Sequence, residues 1–153
     1  MNVLKTKISV LALILWTALL SCSKDDNNLP LVQDPQQIEN SITADTWRIT
    51  KFIDSGDNET GNFSGYAFTF DGTGTLVATN GASNYIGTWS ITDSNSNDDS
   101  PDDLDFNISF AVTDNFEDLN DDWSFISSTS TRIELIDVSG GNGGTDYLTF
   151  EKN

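Results

Sequence analysis

The chain contains no histidine and only one cysteine, Cys22, among its 153 residues. The lack of histidine excludes Ser-His-Asp and Cys-His catalytic relays and every imidazole metal ligand. A single cysteine cannot form an internal disulfide or a cysteine-rich zinc site. Basic residues are also scarce, with seven against 24 acidic ones and a net charge of −17, which argues against nucleic-acid binding. We therefore expect a protein that is not an enzyme, uses no cofactor and binds no nucleic acid.

The first 21 residues have the pattern of a signal peptide. Lys5 and Lys7 precede 13 uncharged residues, Ile8–Leu20, which is too short for a membrane-spanning helix of about 20 apolar residues. Leu19-Leu20-Ser21-Cys22 then resembles the lipobox of bacterial lipoproteins. The resemblance implies that residues 1–21 are removed and that Cys22 becomes the lipidated, palmitate-carrying N-terminus, which is the protein's contact with the membrane. The alternative is an ordinary secreted protein with a cysteine at its cleavage site.

Residues 22–40 are expected to form a flexible tether, because they combine prolines with acids and amides and show little periodicity. Within them, Ser23-Lys24-Asp25-Asp26-Asn27 resembles the short acidic export signal of surface-exposed lipoproteins of Bacteroidota. That resemblance implies anchoring in the outer leaflet of the outer membrane, at the cell surface. A polar, solvated tether accounts for the same residues, and the protein would then lie on the periplasmic face.

The remaining residues, 41–153, show a hydrophobic pattern that repeats every two residues. The clearest case is Leu104, Phe106, Ile108, Phe110 and Val112, which alternate with polar or small residues. Such alternation is typical of strands with one face on a core and the other in water. Turn-rich segments separate the runs. The pattern predicts about eight strands, at 46–54, 63–70, 74–80, 84–92, 104–112, 123–129, 131–138 and 146–152.

Short helical turns are expected only at 35–40 and at 116–121, where Asp114 is a candidate N-cap. Sequential strands with short polar connections favour an all-β fold, an eight-stranded antiparallel meander that hides its edges by closing into a barrel. The segments that resemble the lipocalin-like lipoproteins of Bacteroidota are Thr46–Phe52, Gly65–Phe70, Asp71–Leu76, Gly87–Ile91, Leu119–Trp123 and Leu148–Lys152. The resemblance covers nearly all of 41–152 and implies a lipocalin-like barrel whose molecular role is mostly undefined across the family.

Aromatic residues are the candidate ligand-binding groups, because an eight-stranded barrel is either filled by side chains or just wide enough for one small ligand. The candidates for contact with a small apolar ligand or a glycan are Trp47, Tyr66, Phe68, Trp89 and Trp123. The same rings are needed to build a core in a domain of this size. A filled core would instead favour a structural or interaction protein whose partner the sequence does not identify.

The acidic segments predict no metal site. The run that begins at Asp93 places oxygen ligands at positions one, three and five, as a calcium loop does. However, it has Asp98 where the turn glycine is required and Leu104 where a bidentate glutamate is required. The paired acids Asp102-Asp103 and Asp121-Asp122 are expected to lie in exposed loops, where they contribute to solubility rather than to general acid catalysis.

Overall fold

A computed structural model describes residues 34–93, 104–138 and 144–153. The predicted signal peptide, Cys22 and the first twelve residues of the predicted tether lie outside the described residues. So does most of the candidate calcium loop that begins at Asp93. In the part of the chain that the structure describes, no helix is long and apolar enough to cross a membrane.

Eight antiparallel strands close into a barrel, as the sequence predicts. Each strand pairs with the next along the chain and the first pairs with the last. A two-residue strand, β2, extends the sheet beside the end of β1. The strands are β1 (Thr46–Asp54), β2 (Asp57–Asn58), β3 (Ala67–Phe70), β4 (Thr75–Thr79), β5 (Asn84–Asp93), β6 (Leu104–Phe110), β7 (Asp121–Ser128), β8 (Arg132–Val138) and β9 (Thr145–Lys152).

One helix, α1 (Pro35–Ile42), packs at the end of the barrel where β1 begins. The side chain of Asp34 caps it by accepting the N–H of Gln36 at 3.0 Å. Ile38 and Ile42 are fully buried. The helical turn predicted at 35–40 is confirmed and extends to Ile42, because the two isoleucines, four residues apart, give the helix an apolar face that the barrel covers.

Two 3-10 turns lie at the opposite end of the barrel, at Thr60–Phe63 and Glu117–Leu119. The second lies within the helical turn predicted at 116–121, and the side chain of Asp114 accepts the N–H of Phe116 at 3.1 Å there. Phe63 and Leu119 are buried and close that end of the core. The strand predicted at 63–70 begins only at Ala67, and its first predicted residue, Phe63, ends the first 3-10 turn instead.

The alternation of buried and exposed residues is interrupted at two β-bulges. In β1 the register shifts between Ile49 and Lys51, which turns Phe52 inward. In β7 it shifts between Phe125 and Ser127. As a result Ser128 faces inward and is only 2% exposed, whereas Ile126 keeps the outward position that the preceding alternation gives it and is 50% exposed. Each bulge adds a residue to one strand only and so exchanges the faces of all that follow.

Candidate functional site

Three of the five candidate ligand-binding aromatics belong to the packed core. Trp47, Phe68 and Trp123 are at most 1% exposed. The indole N–H of Trp47 donates to the carbonyl of Ile42 at 2.8 Å, and that of Trp123 donates to the carbonyl of Leu119 at 3.1 Å. These polar atoms are therefore satisfied by backbone rather than aimed at a ligand, and a ligand-binding role for the three stays a prediction.

Aromatic rings fill the interior of the barrel by edge-to-face contact. The ring centres of Phe70 and Trp89 are 5.4 Å apart, and those of Phe70 and Phe150 are 5.5 Å apart. Phe68 contacts Phe150 at 5.4 Å from the other side. Such pairs stabilise a core beyond the burial of their area. The centre of the barrel is thus occupied by side chains.

Tyr66, the fourth candidate, lies at the rim beside the 3-10 turns. Its ring contacts Phe116 at 5.1 Å, and Phe116 stacks on Tyr85 at 3.9 Å. The hydroxyl of Tyr85 donates to a carboxylate oxygen of Asp114 at 2.8 Å, and this hydrogen bond raises the pKa of Tyr85 to about 12. Only a shallow recess of about 120 Å³ remains between these side chains.

Three carboxylates meet at the same end of the barrel. Asp121, Asp137 and Asp146 each bring an oxygen within 4.8 Å of the others. They share the inward faces of β7, β8 and β9 with buried residues, and Asp137 pairs with Asp146 in the sheet. Asp146 also accepts the N–H of Ser55 at 2.6 Å. Burial raises the pKa of Asp121 to about 6, and the charges of Asp137 and Asp122 act in the same direction.

The position of Asp121 corrects the prediction that the Asp121-Asp122 pair lies in an exposed loop. Asp121 begins β7 and faces inward two residues before Trp123, so only Asp122 is exposed. One oxygen from each of three carboxylates falls short of the six to eight oxygens that calcium takes. The arrangement can hold a proton near neutral pH, which relieves the repulsion among the three charges.

Trp89, the fifth candidate, lies under a groove on the outside of the barrel. One part of the groove, of about 300 Å³, runs between α1 and β5. A second part, of about 340 Å³, continues across the outer face of β5 and β6 and shares Gly74, Trp89 and Ser90 with the first. The residues that line the two parts are Gln36, Glu39, Asn40, Thr43, Gly72, Thr73, Gly74, Thr88, Trp89, Ser90, Ile91, Asn107, Ile108 and Ser109.

The turn between β3 and β4 fixes the floor of this groove. Trp89 is 7% exposed; its indole N–H donates to the carbonyl of Asp71 at 3.0 Å and its backbone N–H to the carbonyl of Gly74 at 2.9 Å. The Asp71 carboxylate accepts the hydroxyl of Thr73 at 2.6 Å and the N–H of Thr75 at 3.0 Å, and such bonds lower the pKa of Asp71. Gly74 has a φ of +85°, which favours glycine.

The outer wall of the barrel is divided by charge. Among the described residues, the outward positions of β3, β4 and β5 carry no charged side chain, although the chain has 24 acids. The four described basic residues lie on β1, β8 and β9, and the two arginines both contact Glu151. These four residues are Arg48, Lys51, Arg132 and Lys152.

Comparison with known proteins gives one weak structural match. It is the crystal structure of a DUF4847 family protein from Bacteroides vulgatus, with 18% sequence identity and a TM-score of 0.49. The alignment covers 76% of this chain and 97% of the other. No family model and no curated protein matches the chain.

Proposed function

We propose that this protein is a non-enzymatic, lipid-anchored lipoprotein of the bacterial cell envelope that acts through contacts on the outside of its barrel. The observation that carries the proposal is the packed interior. A barrel that enclosed a small apolar ligand would need an apolar cavity of several hundred Å³. Instead, Phe68, Phe70, Phe106 and Phe150 meet at its centre and are each at most 1% exposed.

The anchor in this proposal is a lipid on Cys22, as the lipobox at 19–22 implies. Several acyl chains on one residue give stable attachment, since each buried CH₂ contributes about 0.8 kcal/mol. The acidic residues behind Cys22 support export to the surface of the outer membrane. Membership in the lipocalin-like lipoproteins of Bacteroidota is part of the same proposal and is supported by the segments quoted above and by the barrel itself.

An apolar fluorescent probe tests whether the interior is available to a ligand. We expect N-phenyl-1-naphthylamine to show no saturable binding to the intact protein. Phe106→Ala titrated with benzene provides the positive control, because an apolar cavity left by one large side chain can accept a molecule of about that size. Stoichiometric binding by the unmodified protein that is weakened by Phe68→Trp, a substitution that adds volume to the interior, would contradict the proposal.

Protease treatment of intact cells tests the location. We expect added protease to degrade the protein at the cell surface while a periplasmic marker survives. Survival of both proteins on intact cells, with loss of both after the outer membrane is opened, would instead place the barrel on the periplasmic face.

A further inference from the structure

The groove beside α1 has the size and shape of a ligand site. Its two parts, of about 300 and 340 Å³, fall at the lower end of the usual range for small-molecule sites, about 300–1,000 Å³. They adjoin at Trp89 and Ser90 and are open to solvent along the outside of the barrel. An open, continuous groove favours an extended ligand that lies across the surface over an enclosed one.

The polar groups of the groove both donate and accept hydrogen bonds. The amides of Gln36 and Asn40 each offer an N–H₂ donor and a carbonyl acceptor, and hydroxyls such as that of Ser90 can act in either sense. Asn107 offers its amide oxygen, since its amide nitrogen already donates to the hydroxyl of Thr92 at 2.9 Å. A ligand rich in hydroxyl groups needs this mixture, because every hydroxyl also donates and accepts. Trp89 lies beneath this part of the groove with its ring packed against Phe70 and Phe106 in the core, so the groove would contact a ligand chiefly through its polar groups.

The charge of the groove selects a neutral ligand. Glu39 is the only charged side chain among the described residues that line it. The outward face of β5, which forms much of its floor, is uncharged. A cationic ligand would be drawn more strongly to the carboxylates at the other end of the barrel, and an anionic one would be repelled by a chain of charge −17.

The floor of the groove is also fixed before any ligand arrives. Two hydrogen bonds join Trp89 to the turn that holds Asp71 and Gly74. Within that turn, the Asp71 carboxylate accepts the N–H groups of Thr73 and Thr75. A preorganised site loses little conformational freedom on binding, so more of the contact energy appears as affinity.

We propose that this groove, between α1 and the outer face of β5 and β6, binds a neutral oligosaccharide. This inference rests on the proposed function and names the ligand that the outer surface of the barrel contacts. Failure of the oligosaccharide prediction would leave the packed interior and the lipid anchor unaffected, because the dye experiment tests the interior separately and Cys22 is not part of the groove.

Gly72 allows a direct test. A Cβ built on Gly72 meets no atom within 4 Å and its φ is not in the left-handed region, so Gly72→Phe fits the backbone and extends into the groove. Gly61 has the same freedom but lies in a 3-10 turn at the other end of the barrel, which makes Gly61→Phe the matched control. A second pair on α1 is Gln36→Ala, which removes a lining amide, and Gln37→Ala, which does not.

The probes are cellohexaose, maltohexaose, xylohexaose, mannohexaose and chitohexaose, with oligogalacturonate as the anionic comparison. Binding to the intact, detergent-solubilised protein is measured by titration calorimetry. We expect at least one neutral probe to bind saturably, and we expect Gly72→Phe to weaken it at least tenfold and Gln36→Ala about threefold. Gly61→Phe and Gln37→Ala should stay within twofold of the unmodified protein.

Three outcomes would overturn the proposal. One is that none of the five neutral probes binds. Another is that a probe binds equally well to Gly72→Phe and to Gln36→Ala as to their controls, which would place its site elsewhere. The third is a preference for oligogalacturonate, which would contradict the charge argument. If Gly72→Phe fails to fold, the comparison of Gln36→Ala with Gln37→Ala decides the result.

Discussion

Replacement of Asp121 by asparagine should stabilise the protein more at alkaline pH than at acidic pH. Asp121 lies on the inward face of the barrel with Asp137 and Asp146, and the pKa of Asp121 is raised to about 6. In the folded state it therefore keeps its proton to a higher pH than in the unfolded chain. Stability accordingly falls as the pH rises from about 4 through about 6, and the penalty is fully present above that range. Asparagine removes the charge and keeps the shape.

The size of this effect follows from the raised pKa. A difference of one pH unit corresponds to about 1.4 kcal/mol, which sets an upper limit of about 3 kcal/mol for a rise to about 6. Asp121 is only partly buried, so solvent screening reduces the expected gain to about 1 kcal/mol. We expect this gain for Asp121→Asn at pH 8 and about a third of it at pH 4.5, because there the carboxyl is still protonated in the folded state but already largely ionised in the unfolded chain.

Urea unfolding at pH 4.5, 6 and 8 measures the effect, with Asp122→Asn as the control. Asp122 is the next residue, is exposed on the outer face of β7 and loses the same charge on substitution. Its effect should stay within about 0.5 kcal/mol, as for most surface substitutions. The reasoning is refuted if Asp121→Asn is no more stable than Asp122→Asn at pH 8, or if its gain is equal at all three pH values.

Three further substitutions test other parts of the account. Cys22→Ala should abolish incorporation of labelled palmitate, and a variant that still carries the label would contradict the anchor. Phe106→Ala should lower the free energy of unfolding by about 3–5 kcal/mol through lost burial and a cavity, whereas Asn107→Ala on the outer face should cost under about 1 kcal/mol; similar losses in urea melts would contradict the assignment of faces. Gly87→Ala should cost more than about 2 kcal/mol, because its Cβ would lie 2.5 Å from a backbone oxygen of β6. Gly61→Ala, in open space, should melt within a few degrees of wild type, and an equal melting temperature for the Gly87 variant would contradict the close approach.

The strands could be predicted because a half-buried strand alternates apolar and polar residues, and this alternation is visible in the sequence. The run from Leu104 to Phe110 alternates without interruption, and the structure begins β6 at the predicted residue and buries the predicted face. The run that ends at Phe70 was harder to delimit. Phe63 is buried in a 3-10 turn rather than in a strand, and apolar content alone does not distinguish the two.

Features that depend on tertiary contacts could not be predicted in this way. Asp121 looks like one of many surface acids, and only the pairing of β7 with its neighbours brings it close to Asp137. The bulge in β7 buries Ser128 two residues after the half-exposed Ile126, the reverse of what their polarity suggests. The groove exists because α1 lies against the barrel beside β5, which requires contacts between residues about 50 positions apart.

The native mass of the protein extracted from its own membrane tests the central claim, that a lipid-anchored barrel with a filled interior acts through its outer surface. We expect a chain that begins at Cys22 and carries covalent acyl chains, with no apolar molecule that is released only when the barrel unfolds. A chain that retains residues 1–21, or that lacks acyl chains, would contradict the anchor. A stoichiometric apolar ligand lost only on unfolding would contradict the filled interior.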